Sequence, residues 1–328
     1  MIAERTHAAA GAVATREDGA AGSRPDADLL AQTLDRLPRL RGTDPAVDVL
    51  PGGLTNRSYK VVAPGRRPVV VRISAGKSSL LSIDRQAECH NALAAAHTGV
   101  APALLLCDPY QGVSAVDWIE GRTLTEADLD DEATLGRVAM LCRRLHSGRR
   151  FLGDFDMFAI QRRYLDVVRE RGFRLPEDYA DYADRVQTIR RALAVQPSRT
   201  VPCHNDLLAA NIIDDGQRVW FIDYEYAGNN DPCFELGNIW SEASLPVDRL
   251  EHLVGVYFGL HSPAKVARAR LFALMSKYGW TLWAAIQDAV SEVDFDFWAW
   301  GMDKYQRAVA EFTGSDFARL IDEVQQPI

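Results

Sequence analysis

The hydrophobic period of this chain changes once along its length, and that change limits the fold more than any other feature. Between Ala46 and Ser74 the stretches "AVDVLPGGLTNRSYKVVA" and "RPVVVRIS" alternate or cluster β-branched residues around Gly and Pro, the pattern of strands joined by tight turns. "SIDRQAECHNALAAAHTG" then carries helix formers and a closing Gly99, and "ALLLCD" and "VSAVDWIE" return to strand character. Beyond Gly121 the spacing is mostly helical, with Leu135, Val138, Leu141, Cys142 and Leu145 forming one apolar stripe ahead of "HSG". Only "TVPCH", "NIID" and "RVWFID" interrupt it as short strands. An earlier helix is expected over Ala27 to Leu40, where Leu29, Leu30, Leu34 and Leu37 recur and Pro38 can stop it. The reading is α+β: a small N-lobe with an antiparallel sheet over residues 27–119, and a mainly helical C-lobe over 120–328, packed around a cleft.

A chain of 328 residues that is 47% apolar can bury a sizeable core. Residues 1–26 carry acids and lack a continuous apolar core, so they are expected to be a disordered tail and not a signal peptide. No apolar run approaches the ~20 residues that span a bilayer, which predicts a soluble, cytoplasmic protein without membrane insertion. The net charge of −8, with no basic block, argues against nucleic acid as a partner and weakly favours a cationic ligand. The five cysteines are odd in number and have no C-x-x-C spacing. Reduced, buried thiols are therefore expected in place of a disulfide framework or zinc site.

"CHNDLLAANII" places His204, Asp206 and Asn211 in the H-x-D-x-x-x-x-N spacing of a kinase catalytic loop. In that loop the Asp accepts the substrate hydroxyl proton and the Asn holds a metal. A short loop between two strands can aim both side chains at one point. Asn and Asp also favour ordinary turns, but Asp223 of "FIDYEY" ends an apolar strand twelve residues after Asn211. That is where a kinase places its second metal ligand. Asn211 and Asp223 together offer the hard oxygen donors that Mg²⁺ takes alongside phosphates. His204 reads as a packing and hydrogen-bonding prop for the loop.

Upstream, Gly52-Gly53 in "LPGGLTN" sits at an expected hairpin tip, where Gly-Gly is also an ordinary turn. Arg72 ends "VVVR". In the kinase plan a Gly-rich turn covers the phosphates of ATP and a strand cation pairs with an acid on the next helix, here Glu88. Backbone groups around Asp117 to Ile119 could bond an adenine edge.

These motifs resemble the choline/ethanolamine kinase family, which shares its two-lobed protein-kinase-like fold with aminoglycoside phosphotransferases. "CHNDLLAANII" and "FIDYEYAGNNDPCFELGN" resemble its two signature stretches, and "GGLTNRSYKV" with "SIDRQAE" resembles the nucleotide side of its bacterial choline kinase branch. The match covers most of residues 45 to 305. Asn205 and the Tyr224-Glu225-Tyr226 run are closer to the choline enzymes than to the H-G-D and I-D-W of aminoglycoside enzymes.

The resemblance implies ATP and Mg²⁺ as cofactors, with Asp206 as base and Asn211 and Asp223 on the metal. It places Gly52, Gly53, Thr55, Asn56, Arg72, Glu88, Asp117 and Ile119 on the nucleotide side. Glu225 would support metal or substrate, and Tyr226, Trp280, Trp283 and Phe297 would line an alcohol pocket. Two positions depart from the family: Glu235 stands where Asp is usual, and Phe297 where Tyr is common.

By spacing alone Trp280 and Trp283 share a helix face, which suits core packing as well as a pocket. The nearby Asp288, Glu292, Asp294, Asp296 and Asp303, gathered around Trp298 and Trp300, favour a pocket for an ammonium group. The expected activity is ATP-dependent phosphorylation of a small amino alcohol, choline first and ethanolamine next. The alternatives are an aminoglycoside or thiamine phosphotransferase of the same fold, or a non-catalytic cation-binding relative.

Overall fold

The computed structural model describes residues 24–51, 53, 56–74 and 80–327. The expected tail, apart from its last residues, and the candidates Gly52 and Thr55 lie outside these. The chain forms two compact units, residues up to 76 with 102–120, and residues 77–101 with 121–328.

The first unit is a five-stranded antiparallel sheet in the order β1-β2-β3-β5-β4. Its strands are β1 (Ala46–Leu50), β2 (Asn56–Val62), β3 (Val69–Ser74), β4 (Leu104–Asp108) and β5 (Val113–Asp117). Alternation decides the faces. Tyr59 and Val61 of β2, Val69, Val71 and Ile73 of β3, and Val113 and Ala115 of β5 are all buried on one side. Helix α1 (Arg24–Arg36) covers that side, with Leu29, Leu30, Leu34 and the following Leu37 packed on it. A fully buried aliphatic side chain such as Leu37 contributes about 1.5–3 kcal/mol, and the partly buried leucines less. The helix stops where Leu37 is forced extended ahead of Pro38, at ψ 108°. Arg39 pairs with Asp117 at the end of β5.

In the second unit, α2 (Arg85–Thr98) is capped by Asp84, whose carboxylate accepts from the N–H groups of Gln86 and Ala87, and ends at Gly99 in the left-handed conformation. The helices α3 (Glu126–Leu129), α4 (Glu132–His146), α5 (Met157–Arg171) and α6 (Ala183–Val195) lead to four very short strands. β7 (Val201–Cys203) pairs with β10 (Gly228–Asn230), and β8 (Ile212–Asp214) pairs with β9 (Val219–Phe221) and with β6 (Arg122–Thr123). All are antiparallel.

The helices α7 (Pro232–Glu242), α8 (Val247–Phe258), α9 (Pro263–Val290), α10 (Phe297–Thr313) and α11 (Asp316–Glu323) complete the unit. Helix α9 is buried on nearly every face, although it carries Lys265, Arg268 and Lys277. It passes so close to α7 that a Cβ on Gly237 would collide with the carbonyl of Ala269. Only glycine allows that crossing. Cys142, Cys203 and Cys233 are buried free thiols, and among the described residues no helix is long and apolar enough to cross a membrane.

Candidate active site

The loop after β7 and the loop after β9 converge because their strands are held by pairing. In the β8–β9 hairpin Ile212 faces Phe221, and the N–H of Ile222 donates to the carbonyl of Asn211 at 3.0 Å. Asn211 and Asp223 therefore sit at the same end of one hairpin. The amide nitrogen of Asn211 donates to the carbonyl of Asp206 at 2.8 Å, which turns its amide oxygen outward and ties it to the loop carrying the acid. The structure thus brings Asp206, Asn211 and Asp223 together.

Asn205 and Asp223 both hold positive φ, 68° and 66°, a region that Asn and Asp tolerate better than most residues. Asn205 is held there from all sides. Its side-chain nitrogen donates to the carbonyls of Cys203, Tyr226 and Gly228, and its oxygen accepts from Asn230. The backbone N–H of Asn205 donates to Glu235 at 2.7 Å, and that of His204 donates to the other oxygen of the same carboxylate at 2.8 Å. Glu235 is thus a clamp on the loop that carries Asp206.

Burial opposes ionisation of Glu235, but hydrogen bonds from His146 and the loop N–H groups outweigh it and hold its pKa below the usual range. His204 donates from Nε2 to the carbonyl of Ile222 at 2.7 Å, so it props the second loop against the first. Burial depresses its pKa and keeps it neutral. His146, Cys203 and Glu235 lie close enough to hold an ion, yet both oxygens of Glu235 already accept backbone N–H groups.

Asp206 is half-buried and crowded by negative charge. Burial, and then Glu242, Asp223 and Glu225, push its pKa well above the usual carboxylate range, while Lys304 opposes them. Glu225 accepts from Arg85 at 3.4 Å, and Arg85 also binds Glu88 at 2.7 Å. Glu88 is therefore held by a cation of its own helix.

The aromatic residues form one continuous wall. Trp283 Nε1 donates to the Tyr226 hydroxyl at 2.8 Å, and Tyr226 stands edge-on to Trp280 at 4.9 Å between centroids. Phe297 and Trp300 lie 5.8 Å and 5.6 Å from the ring of Trp283. The sequence-based acid cluster is corrected here. Asp288, Asp294, Asp296 and Asp303 are exposed, Asp288 and Asp303 pair with Arg174 and Arg307, and Asp296 caps α10. The acids beside the wall are Glu225 and Glu242. Sequence reading missed Arg85, Glu242 and Lys304. Arg85 lay within a motif already singled out, whereas no local pattern marks the other two.

In the first unit Gly53 has φ 95°, and a Cβ there would lie 2.7 Å from the carbonyl oxygen of Asn56. The turn needs glycine. Asn56 is buried at the start of β2, and Arg72 on β3 stands opposite Ser58 and Ser114. The N–H groups of Asp117 and Trp118 already donate to Ala103 and Pro68, and the Asp117 side chain is taken by Arg39. The expected adenine contact accordingly narrows to carbonyls and to Ile119.

Comparison with known proteins adds an independent line. A family model described as choline/ethanolamine kinase matches residues 47–252. Mouse ethanolamine kinase 2 is 29% identical over 288 residues, covering 78% of this chain and 73% of the mouse protein. Protein LicA of Haemophilus influenzae is 28% identical over 213 residues, covering 63% and 61%.

Among solved structures, a choline/ethanolamine kinase family protein from Mesorhizobium loti aligns with TM-score 0.79 and 31% identity, covering 91% of this chain and 99% of that one. A LicA structure in complex with AMP aligns at 0.72 and 24% identity, covering 91% and 100%. An aminoglycoside 2'-phosphotransferase aligns at 0.62 and 14% identity over 89% of this chain and 99% of that one. The antiparallel sheet and mostly helical remainder are the kinase-like fold these structures share.

Proposed function

Because the chain belongs to the choline/ethanolamine kinase family, whose members phosphorylate an alcohol group, we propose that it transfers the γ-phosphoryl group of ATP to the hydroxyl of a small cationic amino alcohol, choline first and ethanolamine next. The observation that carries this reading is the joining of two features within one unit. Asp206, Asn211 and Asp223 meet where two strand-held loops converge, and beside them stands the Tyr226, Trp280, Trp283 and Phe297 wall.

Asp206 orients the substrate hydroxyl and accepts its proton on a carboxylate oxygen as the oxygen attacks phosphorus. Such general-base help is worth ~10²–10⁴-fold in rate. Glu235 and His204 keep Asp206 in place through the backbone of the two loops, with His146 bonded to Glu235 behind them. The aromatic faces hold the ammonium end.

Mg²⁺ fits this donor set. Asn211 and Asp223 offer hard oxygens, and the acids gathered around Asp206 make a negative neighbourhood that a divalent cation would suit. When bound, it supplies charge neutralisation of the β- and γ-phosphates. In the first unit, Gly52, Gly53, Thr55, Asn56, Arg72 and the Asp117 to Ile119 segment are the residues proposed for ATP. Glu88 is proposed for the same task as the acid that pairs with the strand cation Arg72, and it also holds Arg85.

The test is phosphoryl transfer from labelled ATP against choline, ethanolamine, thiamine and an aminoglycoside. Transfer to choline or ethanolamine is expected. Transfer to the aminoglycoside or to thiamine alone, or ATP left intact with all four, would overturn the reading.

A further inference from the structure

One of the acids around Asp206 is held by a buried cation from another helix. Glu242 ends α7, and both of its carboxylate oxygens accept from the ammonium of Lys304 on α10, at 2.7 and 2.6 Å. The two side chains are almost wholly buried, 8% and 4% exposed, so the pair is not a loose surface contact. The Lys304 ammonium also lies 4.2 Å from the centroid of Trp300. Trp300 packs on Trp283, which in turn donates to Tyr226. A cation of the protein itself therefore occupies the acid and one indole face at the edge of the aromatic wall.

Two kinds of ammonium meet this arrangement differently. A primary ammonium carries N–H donors that need acceptors once water is stripped away. A quaternary ammonium has no N–H and is served by aromatic faces alone. With both oxygens of Glu242 bonded to Lys304 and its charge neutralised there, an incoming primary ammonium gains little from the acid and is repelled by the Lys304 charge unless Lys304 first moves.

We propose that Lys304 is a specificity-determining residue, which by holding Glu242 denies an acceptor to a primary ammonium and leaves the wall of Tyr226, Trp280 and Trp283 to a methylated one. The inference rests on the amino-alcohol reading above. Its test uses binding of simple ammonium ions, so that the two can fail separately.

Tetramethylammonium and methylammonium chloride are titrated calorimetrically into the wild type, Lys304→Met, and the double variant Lys304→Met with Glu242→Gln. The wild type binds tetramethylammonium more tightly. Lys304→Met gains about tenfold for methylammonium, the size of one charge-assisted hydrogen bond, and the double variant loses that gain. Lys304→Gln keeps a hydrogen bond to the carboxylate and so holds the fold if Lys304→Met does not, and its gain has the same sign. An unchanged ratio of the two affinities in the single variants, a gain that persists in the double variant, or no binding of either ion to any of the proteins would overturn the proposal. This calorimetric pattern without turnover of any amino alcohol would sink the functional reading and leave Lys304's role standing.

Discussion

Glu235 and Asn205 are joined at 2.7 Å, carboxylate to backbone N–H, at a residue whose φ is 68°. A side chain from α7 thus stabilises a strained backbone one residue before the candidate base. With the N–H of His204 on its other oxygen, Glu235 serves two donors that have no water to turn to, because it is fully buried.

Glu235→Gln should therefore destabilise the second unit by roughly 1–3 kcal/mol, since an amide NH₂ group would face one of the two N–H donors. Denaturant unfolding measures it. Turnover should fall with KM for the alcohol little changed, because the acid acts on loop position. Wild-type unfolding and turnover in the variant would remove Glu235 from this role.

Acid should loosen the same region in two steps. The folded-state pKa of His204 is depressed, so the unfolded chain takes up its proton first and stability falls as pH drops below the ordinary imidazole value of ~6.5. Glu235, also depressed, adds to the loss as pH falls below the ordinary glutamate value of ~4.3. Protonation of Asp206, whose pKa is raised, acts in the opposite sense over the same range, so the two losses are read from thermal melts in metal-free buffer as differences between wild type and variant. In His204→Gln the decline should start lower, and an identical profile in that variant would contradict the assignment.

Asp206→Asn should preserve ATP binding and lose ~10²–10⁴ in kcat, because proton acceptance operates in the transition state. Single-turnover transfer from labelled ATP is the appropriate readout. A kcat equal to wild type would show that another group takes the proton.

Asp223→Ala should abolish Mg²⁺-dependent transfer, and Asn211→Ala should weaken it less, since the carboxylate carries full charge and the amide only a dipole. Mg²⁺ titrations of activity distinguish them. If neither substitution shifts the titration, the metal lies elsewhere.

Trp283→Ala removes both a ring of the wall and the hydrogen bond to Tyr226. In the wild type, kcat/KM should fall from choline through its dimethyl and monomethyl analogues to ethanolamine. The variant should flatten that order through KM for choline, as expected of a ring that binds ground and transition states alike. An order unaltered by the substitution would make Trp283 a core residue only.

The antiparallel sheet ahead of a mostly helical remainder, the strands β7, β8 and β9, and the proposed Asp206, Asn211 and Asp223 set were legible in the chain because each depends on local spacing. Alternation marks a strand, and a fixed count of residues between an acid and an amide sets what one loop can present. β10 was not legible. "GNN" has no strand propensity, and its pairing with β7 is supported by Asn205, whose side chain bonds both Gly228 and Asn230.

The acids of the Asp288 to Asp303 stretch read as a cationic site, yet capping and surface pairing turn them to solvent. The acid that does adjoin Asp206 lies on α7, beyond any spacing rule. Its partner Lys304 is 62 residues away on α10. What joins them is the packing of α7 and α10 on α9, made possible at Gly237, where a missing Cβ lets two helix backbones approach. Sequence periodicity says which face of a helix is apolar, but the distance and angle at which two helices meet are set by side chains from both. That is why the residues proposed for the reaction could be read along the chain, whereas Glu242 and Lys304 emerged only from the packed structure.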